Sequence, residues 1–235
     1  MNGKIQNEVK VTYFEEAADY IERIGILPLA SIIPDYPSLE SITAKENWHS
    51  DTELDPWSWR VRFPLEGKAA YGKFFKKKAV LVSPEWFPWV HACLNIGTDT
   101  EKCYRDGLLS RTAWELYQLI DMDQGIDTRV LRERAHMKAK EDKKAFDNAV
   151  IELQDALLIV ISGVKHKVNE DGEKNGWNST VYETTTNWMR ENGIKTVNVS
   201  KEEAHKELMS RLQDSCSDKA YAFFGKYSEP RRGFL

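Results

Sequence analysis

The stretch "KKAFDNAVIELQDALLIVIS", residues 143–162, changes period halfway along. Phe146, Val150, Leu153 and Leu157 recur at helical spacing, after which "LLIVIS" is an unbroken apolar run rich in β-branched residues. The first part predicts an amphipathic helix and the second a buried strand. Gly163 punctuates the strand, and the polar stretch that follows returns into a second strand near Trp177 to Tyr182. Two helices are expected upstream. One runs from Ser110 to Met122, with Thr112 and Glu115 spaced as a capping box; the other, "TRVLRERAHMKAK", is capped by Asp127 or Thr128 after "DQGID" breaks the pattern. Three helices followed by a charged two-stranded hairpin is the order of a winged helix, whose third helix enters the major groove while the hairpin forms the wing. Residues 106–183 are therefore expected to form such a module.

Charge is segregated within it. Over Arg129 to Lys144 there are seven bases (Arg129, Arg132, Arg134, Lys138, Lys140, Lys143, Lys144) against three acids (Glu133, Glu141, Asp142), a local net charge of +4. The whole chain of 235 residues has 33 Lys plus Arg against 37 Asp plus Glu, a net charge of -4. A polyanion would therefore be met by a local patch rather than by the whole surface. The residues expected to meet duplex DNA are Arg132, Lys138, Lys143, Lys144, Asn148, Lys165 and Lys167. The alternative is a set of solvated helix faces on a winged helix that contacts another protein, since one fold serves both purposes.

Upstream, Thr12 and Glu15 predict the start of a helix that runs to Ile24 and stops at Gly25, and Pro28, Pro34 and Pro37 then break regular structure. In "DPWSWRVRF", residues 55–63, Trp57, Trp59, Val61 and Phe63 alternate with Ser58, Arg60 and Arg62. Period two predicts a half-buried strand with the tryptophans on one face and the arginines on the other, unable to line one pocket together. "AAYGKFFKKKAVLVS" predicts two further strands joined tightly around Lys76 to Lys78, and "SPEWFPWVHACL" a helix with Ser83 as N-cap and Pro84 at its first position. Residues 1–105 thus read as a helix and a small antiparallel, aromatic-rich sheet. Residues 184–235 read as a helix near Thr185 to Glu191, a second from Ser200 to about Asp214, and an aromatic tail packing on the first part. The expected class is a largely helical α/β (α+β) protein.

The aromatic block includes Trp48, Trp57, Trp59 and Tyr71, with Arg60 and Lys73 close in sequence. Such a set can stack a base and hold its phosphate, or can simply be core. Asp51, Asp55 and Glu85 are carboxylates suited to partnering the tryptophans and arginines, or to serving as catalytic acids or bases. No dinucleotide fingerprint, phosphate-loop, nucleophile-elbow or zincin motif occurs. Cys93, Cys103 and Cys216 fall in no C-x-x-C spacing, so neither a disulfide framework nor a metal is expected, and no cofactor is implied. The N-terminus lacks the apolar core of a secretory signal and no window suits a membrane span, so a cytoplasmic protein without a membrane partner is expected.

Several motifs in "WHSDTELDPWSWRVRFPLEGKAAYGKFFKKKAVLVSPEWFPWV", residues 48–90, occur in the same order in one family. These are W-x-x-D followed by PW-x-W (Trp48, Asp51, Pro56, Trp57, Trp59), YGKFF (Tyr71 to Phe75) and EWFP (Glu85 to Pro88). Together with "FDNAVIELQDALLIVISG" and a later "NGW", they resemble the AlkZ-related proteins, kin of winged-helix DNA glycosylases. The resemblance implies a winged helix, contact with duplex DNA and descent from base-excision chemistry. Glycosylases of the AlkZ type are associated with a Gln-x-Gln or Gln-x-Asp element that positions the hydrolytic water. Here glutamine stands at 6, 118, 124, 154 and 213, and none begins such an element.

Overall fold

The computed structural model describes residues 10–166, 178–213 and 215–229. The first helix, α1 (Phe14–Ile24), is capped one residue later than the sequence suggests. Glu16, not Glu15, accepts the backbone N–H groups of Thr12 (2.7 Å) and Tyr13 (3.1 Å). Phe14, Ala17, Ile21 and Ile24 form its buried stripe, and Gly25 ends it at φ 80°. The chain continues through β1 (Ile26–Pro28) and the short α2 (Leu39–Ile42) to α3 (Pro56–Leu65).

That helix corrects the strand expected over residues 57–63. Asp55 caps it by accepting the N–H of Trp57 (2.9 Å), and Pro56 occupies the first turn, where a missing N–H costs nothing. At about 100° per residue, Trp59 and Phe63 fall on the inner face while Trp57, Arg60 and Val61 share the outer one. Alternation over seven residues satisfied both periods, and the Asp-Pro start signal belonged to the helix.

The hairpin β2 (Ala70–Phe75) and β3 (Lys78–Val82) forms as expected, turning at Lys76 and Lys77, both in the left-handed region at φ 52° and 58°. Two such residues give the strand-matched turn that short hairpins need. With β1 they make an antiparallel sheet of order β1-β3-β2. The next helix, α4 (Phe87–Leu94), begins four residues beyond the expected Ser83 cap. The Ser83 carbonyl instead closes a turn by accepting from Trp86 (3.1 Å) and Phe87 (2.9 Å), which leaves Pro88 in the first helical turn. A short helix, α5 (Thr100–Arg105), follows, capped by Asp99.

The second half runs α6 (Arg111–Met122), β4 (Ile126–Asp127), α7 (Thr128–Arg134), α8 (Lys143–Asp155), β5 (Ile159–Lys165) and β6 (Ser179–Thr184), with the three strands in antiparallel order β4-β6-β5. Gly163 does not end β5; the register shifts between Ile161 and Gly163 and pairing continues to Lys165. Nor do Thr112 and Glu115 box the start of α6. Ser110 is its cap, the Ser110 N–H and hydroxyl both donate to Glu152 of α8 (2.6 and 2.7 Å), and Glu115 pairs with Arg111. Three helices close the chain: α9 (Thr185–Glu191), α10 (Lys201–Gln213) and α11 (Asp218–Tyr227). The expected aromatic tail is thus mostly helical, capped by Ser217, with Ala220, Phe223 and Phe224 inward.

One continuous core joins these parts. The Trp188 indole N–H of α9 donates to the Pro64 carbonyl of α3 (2.9 Å), and its ring meets Phe87 edge-on at 5.6 Å. Gln154, buried in the last turn of α8, accepts the backbone N–H of Lys73 in β2 (3.2 Å) and donates to the Val150 carbonyl (3.1 Å). From α11, Phe224 meets Tyr36 (5.2 Å) and Phe75 (5.8 Å), and Lys76 lies 4.6 Å over the Tyr227 ring.

Packing sets two titrations. Burial pushes the Cys93 thiol up to about 12, and its Sγ donates to the Ser228 carbonyl (2.9 Å), so it is a packed thiol rather than a nucleophile. Burial lowers His91 on α4 to about 4. Unfolded histidine titrates near about 6.5, so below that pH the unfolded chain takes a proton that the native site refuses. Stability contributed by the neutral ring is present above the unfolded pKa and lost as pH falls, by about 2 kcal/mol at a pH of roughly 5. Urea midpoints at neutral and acidic pH should show this loss, and His91→Gln should remove most of it; identical pH dependence in the variant would contradict the assignment.

Candidate nucleic-acid interface and aromatic cleft

Two surfaces carry the charged and aromatic residues. The first is the exposed end of α8. Its C-terminal half is buried against α6 and β2, while Lys143, Lys144 and Asn148 in its first half face solvent. Among the described residues, neither lysine forms an ion pair. The other expected contacts have local commitments. Arg132 donates to the carbonyls of Met137 (2.8 Å) and Ala139 (3.0 Å), fixing the α7–α8 connection, and Lys138 pairs with Glu133. Lys165, exposed at the end of β5, donates to the Gly125 carbonyl (2.8 Å). Lys167 lies outside the described residues.

The second surface is a cleft of about 750 Å³ between the outer face of α3, the loop before it and the ends of β5 and β6 nearest their connection. Asp51, Trp57 and Arg60 line it, together with His49, Val164 and His166. The loop is shaped by Asp55, whose Oδ1 accepts the His49 N–H (2.9 Å) as well as that of Trp57. This carboxylate is 1% exposed, so it is a buried cap rather than a group open to a substrate. His49 (φ 61°) and Asp51 (φ 55°) both adopt left-handed backbone, a conformation that costs non-glycine residues roughly 1–2 kcal/mol each.

Arg60 dominates the cleft. Its guanidinium lies 3.5 Å over the Trp57 ring and donates to the Trp57 carbonyl (2.6 Å), with Tyr71 close enough to influence its charge. Burial lowers the Arg60 pKa, opposed by the nearby Tyr71 and Asp55. Burial also raises Tyr71, which Arg60 opposes. Among the described residues no carboxylate forms a salt bridge with Arg60. Arg62 is different: it pairs with Glu15 (3.2 Å) and Glu66 and lies 3.8 Å over Phe14.

The expected separation of tryptophans from arginines is therefore overturned at Trp57 and Arg60, because i and i+3 on a helix are neighbours. Trp59 goes inward, 2% exposed, donating to the Glu53 carbonyl (2.7 Å). Trp48 donates to Thr43 (2.9 Å) beside the loop, with His49 at a ring distance of 6.4 Å. Lys73 joins α8 through its backbone, and Glu85 pairs with Arg211 (2.8 Å) away from the cleft. His49, Ser58, His166 and Asn178 were not singled out by sequence. They come from separated segments, and only the W-x-x-D motif, which brackets His49, pointed near them. Among the described residues no group of three or more His, Cys, Asp or Glu is placed to hold a metal ion, and no helix is long and apolar enough to cross a membrane.

An α/β protein whose α8 exposes lysines without ion pairs among the described residues, with an arginine–tryptophan cleft beside the connection end of β5 and β6, has surface chemistry suited to a polyanion. The family model described as AlkZ related matches residues 11–229, and the chain belongs to that family, which links it to DNA repair. Searches of curated proteins and of solved structures found no match.

Proposed function

We propose that residues 106–183 act as a winged helix that binds duplex DNA, with the first half of α8 in the major groove and the β5–β6 hairpin as wing. The order α6–β4–α7–α8–β5–β6 and the sheet order β4-β6-β5 support this reading. The observation that carries it is the pair Lys143 and Lys144, exposed, without ion pairs among the described residues and followed one turn later by Asn148, a side chain able to read a base edge. Binding, rather than base excision, is the proposed activity, because the chain has no Gln-x-Gln or Gln-x-Asp element.

Fluorescence anisotropy with a labelled duplex tests this. If Lys143, Lys144 and Lys165 neutralise about three phosphates, the log–log slope against salt should be about -2.7, or roughly a 40-fold loss of affinity from about 50 to 200 mM. No binding at the lower salt would overturn the reading and leave the module as a protein-contacting one.

A further inference from the structure

We propose that the cleft beside α3 is a binding site for one nucleotide unit, a planar base bearing a single phosphate. Arg60 takes the phosphate, and the exposed aromatic surface of Trp57 and His49 takes the base. This site uses none of the α8 lysines, so it and the duplex-binding reading can fail separately.

The cation comes first. A guanidinium carries five N–H donors, and the Trp57 carbonyl, the acceptor found for Arg60 among the described residues, leaves others for the cleft. Among the described residues Arg60 has no carboxylate in direct contact, and Asp55 acts on it only through space, so part of its lost hydration is uncompensated and an anion bound bidentately restores it. Arg62, two residues on, shows the alternative, with both of its carboxylates supplied. The cleft thus has the form of an arginine kept for a ligand.

The walls specify more than an anion. Trp57 is 42% exposed, and the His49 ring sits 5.0 Å from it, tilted by 52°. Large aromatic surface left in water beside a fixed cation suits a flat ring, which gains stacking energy of about 1–3 kcal/mol per base. Ser58 and Asn178 add hydrogen-bonding groups at the rim. At about 750 Å³ the cleft is far larger than inorganic phosphate requires. Asp51, on the same lining, opposes a polyphosphate, so a single phosphate fits the charge balance.

The nucleotide can arrive free or as an unpaired residue of a DNA strand, and calorimetry on the full chain separates the two sources. The ligands are dAMP, deoxyadenosine, inorganic phosphate, a matched duplex, and the same duplex with one unpaired nucleotide. For a free ligand, dAMP should bind at least about tenfold more tightly than deoxyadenosine or phosphate. For a strand-borne one, the unpaired duplex should show the same advantage over the matched duplex. In either case Arg60→Lys, which keeps the charge but loses the planar fork, should weaken the preferred ligand by about tenfold. Trp57→Phe and His49→Ala should weaken it less, at unchanged melting temperature. Lys143→Glu with Lys144→Glu should leave dAMP binding intact. The proposal is overturned if neither preference appears, if phosphate alone matches dAMP and no unpaired-nucleotide preference exists, or if folded Arg60→Lys and Trp57→Phe proteins bind like the parent.

Discussion

Replacing Gly25 by alanine is expected to cost about 3–5 kcal/mol, a large share of the roughly 5–15 kcal/mol by which folded domains are stable. The residue sits where three elements meet. Its N–H closes α1 on Ile21 (2.8 Å), its carbonyl receives Ser83 N–H (2.8 Å), and the Trp86 ring lies against its α-carbon. A methyl group there would stand 2.0 Å from Trp86 Cδ2 and 2.3 Å from Cε2, positions no side chain can share. At φ 80° the backbone itself also disfavours alanine, by about 1 kcal/mol. Trp86 is 7% exposed, with Arg211 5.7 Å from its ring, so the indole cannot swing away without opening the core. Gly193 is the internal control: φ is 66°, but nothing lies within 4 Å of an added methyl. Gly193→Ala should therefore show the backbone cost alone. Urea denaturation measures both, and equal losses at the two positions would refute the packing described around Trp86.

Changing Lys143 and Lys144 together to glutamate is expected to lower duplex affinity by at least about a hundredfold at moderate salt. It should also flatten the salt slope by about 2, one for each phosphate contact removed. Stability should not fall, because both side chains are exposed, with no ion pair among the described residues, and negative charge is favourable at a helix N-terminus. That combination, weaker binding at unchanged or slightly raised melting temperature, separates an interface role from a folding role. Unchanged duplex affinity in the double variant would exclude α8 as the contacting element.

Where local physics decides structure, the sequence was legible. The period change at residues 143–162 marks α8 and β5, and the lysine-rich turn between two apolar runs marks β2 and β3. It misled where two periods fit the same residues. Trp57, Trp59, Val61 and Phe63 alternate, yet Trp59 and Phe63 also stand four apart, and the Asp55-Pro56 start settles the matter for a helix. In α11 the crowd of aromatics obscured Ala220, Phe223, Phe224 and Tyr227, whose spacing is helical. The cleft was legible only in part. Trp57, Arg60 and Asp51 were recognised as residue types, but their meeting with His49, His166 and Asn178 depends on α3 packing against β5, a contact between distant segments.

The side chain of Gln154 gives α8 a mechanical character. Clamped to β2 at its far end and projecting at its near end, the helix is a cantilever, with fold stability vested in one end and the proposed recognition in the other. Substitutions at residues 143–148 can then retune what the surface prefers without taxing the fold, whereas changes at Val150, Leu153 or Gln154 are felt first as lost stability. Divergence among relatives of this chain has an obvious place to occur: the free end, where a new preference need not disturb the beam that holds it.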